Sequence, residues 1–292
     1  MSIEIERLGD ERDQLGEGPL WDPFDKVLYW VDSMGCAIHR LDPASGERRD
    51  WPVPGQIGSM ALREQGGAVL ALENGFYFFD FDSGEATLIA DPEADEPRTR
   101  FNDGKVDRQG RFLAGTMGRE IRDQGLGSLY RLNPDLTVET LETDIIVSNG
   151  PCFSPDGGTF YFADSPRRAI SAYDYDQETG AISNKRLFVS TERMQTAPDG
   201  ATVDADGYVW SALVRSGQIG RFGPDGKPKM VIDMPTPHPS SVMFGGPNLD
   251  IVYVTSISRT HGLDASDNPL AGCLYAVHGT GAKGIPEPRF AG

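Results

Sequence analysis

Six positions recur along this chain at a near-constant interval, most of them followed by glycine: Glu17-Gly18, Ile57-Gly58, Asp103-Gly104, Asn149-Gly150, Asp199-Gly200 and, more loosely, Ser240-Ser241. The spacings are 40, 46, 46, 50 and 41 residues. Taken singly, an Asx-Gly pair reads as a turn. Brought to one place, Glu17, Asp103, Asn149 and Asp199 would be three carboxylates and an amide that repel one another unless a cation sits among them. Every donor is an oxygen. Such a set favours Ca²⁺, Mg²⁺ or Mn²⁺ over a structural Zn²⁺, which would want Cys or His.

The elements that could gather these residues are repeated too. An apolar strand, a Gly- or Asp-containing turn and a second apolar strand occur six times: PLWDPFDKVLYWVDS, MALREQGGAVLALE, KVDRQGRFLAGTM, PCFSPDGGTFYFADS, ATVDADGYVWSAL and VMFGGPNLDIVYVTS. A third alternating segment follows most of these, among them IHRLDPASGE, FYFFDFDSGE and LYAVHGTGA. No segment carries a long 3.6-residue apolar period, and four-stranded propeller blades repeat at this interval. The expected fold is therefore all-β: a six-bladed β-propeller with a metal site at one end of the central channel, in one domain over residues 1–292. In that fold the first strand of each blade lines the channel, so the residues just ahead of those strands meet around one axis. The alternating stretch at residues 3–8 is expected to supply the outer strand of the last blade and close the ring. PEADEPRTR, GREIRDQGLG and STERMQTA are the loops expected to cover the site and choose its ligand.

Composition narrows the partners. With 27 Lys+Arg against 44 Asp+Glu, a formal charge of −17 opposes nucleic acid and anionic membrane surfaces, which need a basic face. The acidic opening MSIEIERLGD lacks the basic start and apolar run of a signal peptide, so a cytoplasmic location is expected. Cys36, Cys152 and Cys273 are odd in number and far apart, which suits buried thiols rather than a disulfide framework.

The chain resembles the senescence-marker-protein-30/gluconolactonase family of six-bladed propellers from about Leu15 to Val277. The residues that carry the likeness are LGEGPLWD, RFNDGKVD with GRFLAGTM, SNGPCFSPDG with TFYFADS, SNKRLF, and APDGATVDADGYVW. RFNDGKVD with AGTM is specific; each single GP or DG turn is weak. The resemblance implies one divalent metal held by Glu17, Asn149 and Asp199, with Ca²⁺ the first candidate and Mn²⁺, Mg²⁺, Zn²⁺ or Fe²⁺ alternatives. It also implies that Arg100 and Asn102 contact substrate hydroxyls and ring oxygens, and that Glu120 contacts the far side of the sugar. Asp103 would stand near the metal, just outside its ligands. The implied activity is hydrolysis of sugar-acid lactones by metal polarisation of the carbonyl, with Asp199 as the general base. A small-molecule sugar lactone is then the partner, and the protein a monomer or weak homo-oligomer.

Other readings have less behind them. No GxSxG nucleophile elbow and no GxGxxG phosphate loop occur. His39, His238, His261 and His278 show no ligand spacing. Trp21, Tyr161 and Trp210 sit on strands and read as core. A non-catalytic ligand-binding propeller is opposed by the single Trp21-Asp22, in the wrong place for a WD repeat. An ester or phosphotriester hydrolase on the same scaffold remains the alternative within the enzymes.

Overall fold

The computed structural model describes residues 2–260 and 266–292. Its strands fall into six antiparallel four-stranded sheets, one for each sequence repeat. The innermost strands are β2 (Gly16–Asp22), β6 (Ile57–Leu62), β10 (Thr99–Val106), β14 (Ser148–Phe153), β18 (Pro198–Val203) and β22 (Pro239–Gly245). Each begins a meander running outward through its blade. The last blade departs from chain order, because β22, β23 (Ile251–Ser256) and β24 (Leu274–His278) take their outermost partner from β1 (Glu4–Leu8), with Ile5 opposite Val277. No helix among the described residues is long and apolar enough to cross a membrane.

Blades stand face to face, so most inner and middle strands are covered on both sides. They read as continuous apolar runs rather than alternating ones; β3 (Val27–Asp32, VLYWVD) and β7 (Ala68–Leu72, AVLAL) are buried at every position. Between neighbouring blades lies one apolar cluster, six in all among the described residues. The cluster joining the last blade to the first packs Trp21, Leu28 and Trp30 against Tyr253, Leu274 and Ala276. Burying one such large side chain is worth about 1.5–3 kcal/mol, so each seam is a substantial hold on its two blades. Trp21, Tyr161 and Trp210 all lie in these seams, as expected of strand aromatics. Cys152 and Cys273 are buried free thiols, whereas Cys36 is only half-buried.

Two features escape the repeat. Fourth strands such as β5 (Arg48–Pro52) and β17 (Ile182–Ser190) are polar and largely exposed, so no apolar period marks them. The segment after β24 turns back under the propeller. There Phe290 is fully buried in the seam between the second and third blades, and Glu287 lies between Thr202 and the cations Lys105 and Arg108 in the channel's far end.

A candidate metal and substrate site at the channel mouth

The inner strands carry the same irregularity at the same place. In every blade the ladder between first and second strand breaks register at or beside the repeated position: Glu17/Leu20, Ile57/Ser59, Phe101/Gly104, Asn149/Cys152, Pro198/Ala201 and Pro239/Ser241. A bulge of this kind re-aims a side chain that regular pleating would send into a seam. The repeated residues thus lie inside the inner strands, not ahead of them.

The glycines that follow have a packing reason. Adjacent inner strands approach so closely at the axis that a Cβ at Gly150 would lie 2.7 Å from the Asp199 carbonyl oxygen, and one at Gly200 would collide with Ser241. Gly150 also holds φ +55, which L side chains rarely adopt. Gly150→Ala is expected to cost about 2 kcal/mol of stability in denaturant titration, from overpacking and backbone strain together. An unchanged midpoint would contradict this close approach.

Of the six repeated positions, three face a common cavity of about 370 Å³: Glu17, Asn149 and Asp199, which are 8%, 4% and 7% exposed. Ile57 joins the apolar seam between the first two blades, and the Ser240 hydroxyl donates to the Gly16 carbonyl. Asp103 is turned below this cavity, into a narrower space it shares with Gly18, Ser59 and Glu287. Its oxygens accept the Gly104 amide at 2.8 Å and the Gly150 amide at 2.9 Å, so Asp103 pins the backbone next to Asn149. The convergence is therefore two carboxylates and an amide rather than three carboxylates. Among the described residues no three or more His, Cys, Asp and Glu side chains group as a metal cluster.

Hydrogen bonds fix that amide. Asn149 Nδ2 donates to Ser165 Oγ at 2.8 Å, and Ser165 Oγ in turn donates to the Pro198 carbonyl at 2.6 Å. Asn149 Oδ1 is thereby turned toward Asn102, whose Nδ2 donates to it at 2.8 Å; Arg100 Nη1 donates to Asn102 Oδ1 at 3.0 Å. Ser165, in the short 3₁₀ turn Ser165–Arg167 after β15 (Thr159–Asp164), ends a repeated segment of the sequence but is not among the expected site residues.

The carboxylates are short of positive charge. Glu17 is held well above its ordinary range, chiefly by burial, then by the negative charges of Asp199 and Asp103. Asp199 is raised by burial and by Asp103, against one hydrogen bond from the Gly200 amide at 3.1 Å. Two buried carboxylates beside an oriented amide oxygen, with no Lys, Arg or His in an ion pair with either among the described residues, are a donor set that fits a hard dication.

The surrounding wall is of two kinds. Leu15, Ala197, Val214 and Ile257 make an apolar patch, and Arg100, Arg122, Arg168 and Arg215 also line the cavity. Glu120 does not reach it: that residue is exposed and borders an adjoining recess with Arg100, Arg119 and Arg122. Of the three expected covering loops, residues 118–127 contribute Arg122, with Met117 just ahead of them, and the third contributes Ala197. The first contributes only Arg100 from its end; Glu93 accepts instead from Thr116 Oγ1 at 2.8 Å and Tyr130 Oη at 2.9 Å, outside the cavity. His39, His238 and His278 are absent from the lining, and His261 lies outside the described residues.

Residues 15–258 match the model of the SMP-30/Gluconolactonase/LRE-like region. Regucalcin of Xenopus laevis is 38% identical, over 100% of this chain and 99% of its own length. The 6-deoxy-6-sulfogluconolactonase of Pseudomonas putida is 36% identical over 95% of each chain. Among solved structures, a calcium-binding protein, regucalcin, from Agrobacterium tumefaciens superposes with a TM-score of 0.91 at 30% identity, covering 97% of this chain and 96% of that one.

Proposed function

The chain belongs to the SMP-30/gluconolactonase/LRE-like family, and on that premise we propose that it is a lactonase opening sugar-acid lactones with one divalent cation held by Glu17, Asn149 and Asp199. The observation that carries the metal reading is the pair of buried carboxylates, neither in an ion pair among the described residues, facing one cavity beside the oriented Asn149 oxygen. Ca²⁺ is the first candidate, since all three donors are hard oxygens; the calcium-binding regucalcin of Agrobacterium tumefaciens supports it. When bound, the cation would hold the carboxylates in their charged form, polarise the lactone carbonyl and stabilise the oxyanion.

The chain's own residues supply the rest. Asp199 takes a proton from the attacking water, a role suited to a carboxylate at the cavity floor with only one backbone donor upon it. Arg100 presents its remaining N–H groups to the sugar's hydroxyls and ring oxygen, while Asn102, whose two Nδ2 protons go to the Ser148 carbonyl and Asn149 Oδ1, meets a sugar hydroxyl through Oδ1 as acceptor. The patch of Leu15, Ala197, Val214 and Ile257 receives the C–H face of the ring. Asp103 acts at one remove, fixing the Gly150 amide. Glu120 can reach the far side of a sugar only through the recess behind Arg100.

The alternative on the same scaffold is an ester or phosphotriester hydrolase. Metal-loaded protein given aldonolactones side by side with an aryl ester and a phosphotriester is expected to turn over the lactones fastest. Faster turnover of the phosphotriester would replace this reading.

A further inference from the structure

We propose that this cavity selects lactones that carry an anionic group, a phosphate, sulfonate or carboxylate, away from the reacting carbonyl. The inference rests on the lactonase reading and deepens it.

Arg122, Arg168 and Arg215 reach the same cavity from equivalent loops of three consecutive blades, each following the second strand: β11 (Phe112–Gly118), β15 and β19 (Val209–Leu213). None of the three forms an ion pair among the described residues. Their neighbours on the same loops do: Arg119 meets Glu73 at 2.9 Å, and Arg167 meets Asp164 at 2.9 Å. Each of these two loops therefore spends one arginine on structure and leaves another in the cavity. In a chain with 44 acidic and 27 basic residues, carboxylate partners are not scarce.

Arg122 is the most telling of them. Its Nε is buried without a hydrogen-bond partner, and a buried guanidinium group left unpaired is costly. Arg100, 5% exposed, is pulled down to about 10 by burial and by the charge of Arg122. Arg100 and Arg122 lie close together, and although Glu120 borders the recess beside them, neither arginine forms an ion pair among the described residues, an arrangement that a multidentate anion stabilises. A neutral sugar's hydroxyls would satisfy donors but leave the mutual repulsion in place. The protein's overall charge of −17 would turn an anion away at long range, so local arginines at the mouth are what such a substrate needs.

The test compares kcat/KM for glucono-1,5-lactone with its 6-phospho and 6-sulfo counterparts and with glucaro-1,4-lactone, which separates phosphate, sulfonate and carboxylate. At least one anionic lactone is expected to exceed the neutral one by about tenfold or more at low salt, the advantage shrinking as salt screens it. In Arg122→Gln and Arg215→Gln the anionic-to-neutral ratio is expected to fall by about tenfold, with Arg215→Lys restoring part of it. A neutral lactone preferred over all three, or an unchanged ratio in both variants, overturns the proposal. Calorimetric titration with gluconate and 6-phosphogluconate keeps the two readings apart. Tighter 6-phosphogluconate binding that Arg122→Gln abolishes would uphold the anion subsite even if no lactone were hydrolysed. Equal binding of the two acids would sink it even if lactones were.

Discussion

Asp199→Asn is expected to lower kcat for lactone hydrolysis by about 10³-fold, the upper part of what a positioned general base supplies. The substitution is nearly isosteric and keeps an oxygen facing the cavity, but it removes one of the two cavity carboxylates, so cation binding should weaken by about the same 100-fold as in Glu17→Gln and kcat is compared at saturating cation. The Gly200 amide still has an acceptor, and the inner strand keeps its bulge. Single-turnover kinetics together with calorimetry of the cation would separate the two effects. Full activity with the cation still bound would remove Asp199 from the role of base and leave it a ligand only.

Glu17→Gln acts on the other side of the balance. Removing one of the two cavity carboxylates is expected to weaken Ca²⁺ binding by about 100-fold, or about 2.7 kcal/mol, since affinity at oxygen sites follows ligand charge. The cation-free protein should respond in the opposite sense. Burial and the neighbouring carboxylates raise Glu17 and Asp199 above their unfolded values, so the folded state holds their protons more tightly than the unfolded chain does. That stabilisation is present at acid pH and is lost as pH rises from the unfolded carboxylate value, about 4, through the raised ones. Chelated wild type is therefore expected to melt at lower temperature as pH rises from acid to neutral and beyond, and Glu17→Gln to melt with a shallower slope. Ca²⁺ should restore the wild type and do little for the variant. Parallel melting curves with and without Ca²⁺ would contradict a cation at Glu17.

The parts of this site that sequence made legible are those tied to the repeat. Glu17, Asn149 and Asp199 share a period because each blade presents one bulged residue to the axis; Gly150 and Gly200 follow because inner strands nearly touch there, and Gly18 because its backbone holds φ +51. Period alone gives position without direction. Asp103 occupies the same register, yet two backbone amides draw its carboxylate below the cavity, and Ile57 turns into a seam. The apolar triplets of strands announce six sheets plainly, whereas polar outer strands such as β5 do not, because half their surface meets water and no alternation is imposed. Ser165 ends a repeated segment and Arg122 lies in an expected covering loop, but nothing in the sequence marked either side chain, or Arg168 and Arg215, as facing the cavity. They sit on connections of unequal length, where residue type follows the ligand rather than the fold. Nor does any pattern announce the buried Phe290 or the half-buried Glu287, which belong to no blade.

The most direct measurement is aldonolactone hydrolysis by chelated protein before and after return of single cations. Almost no turnover after chelation, and recovery with Ca²⁺ or another hard dication in wild type but not in Glu17→Gln at the same cation concentration, is the predicted result. Turnover undiminished by complete chelation, or no turnover of any sugar-acid lactone with any cation, would contradict the account.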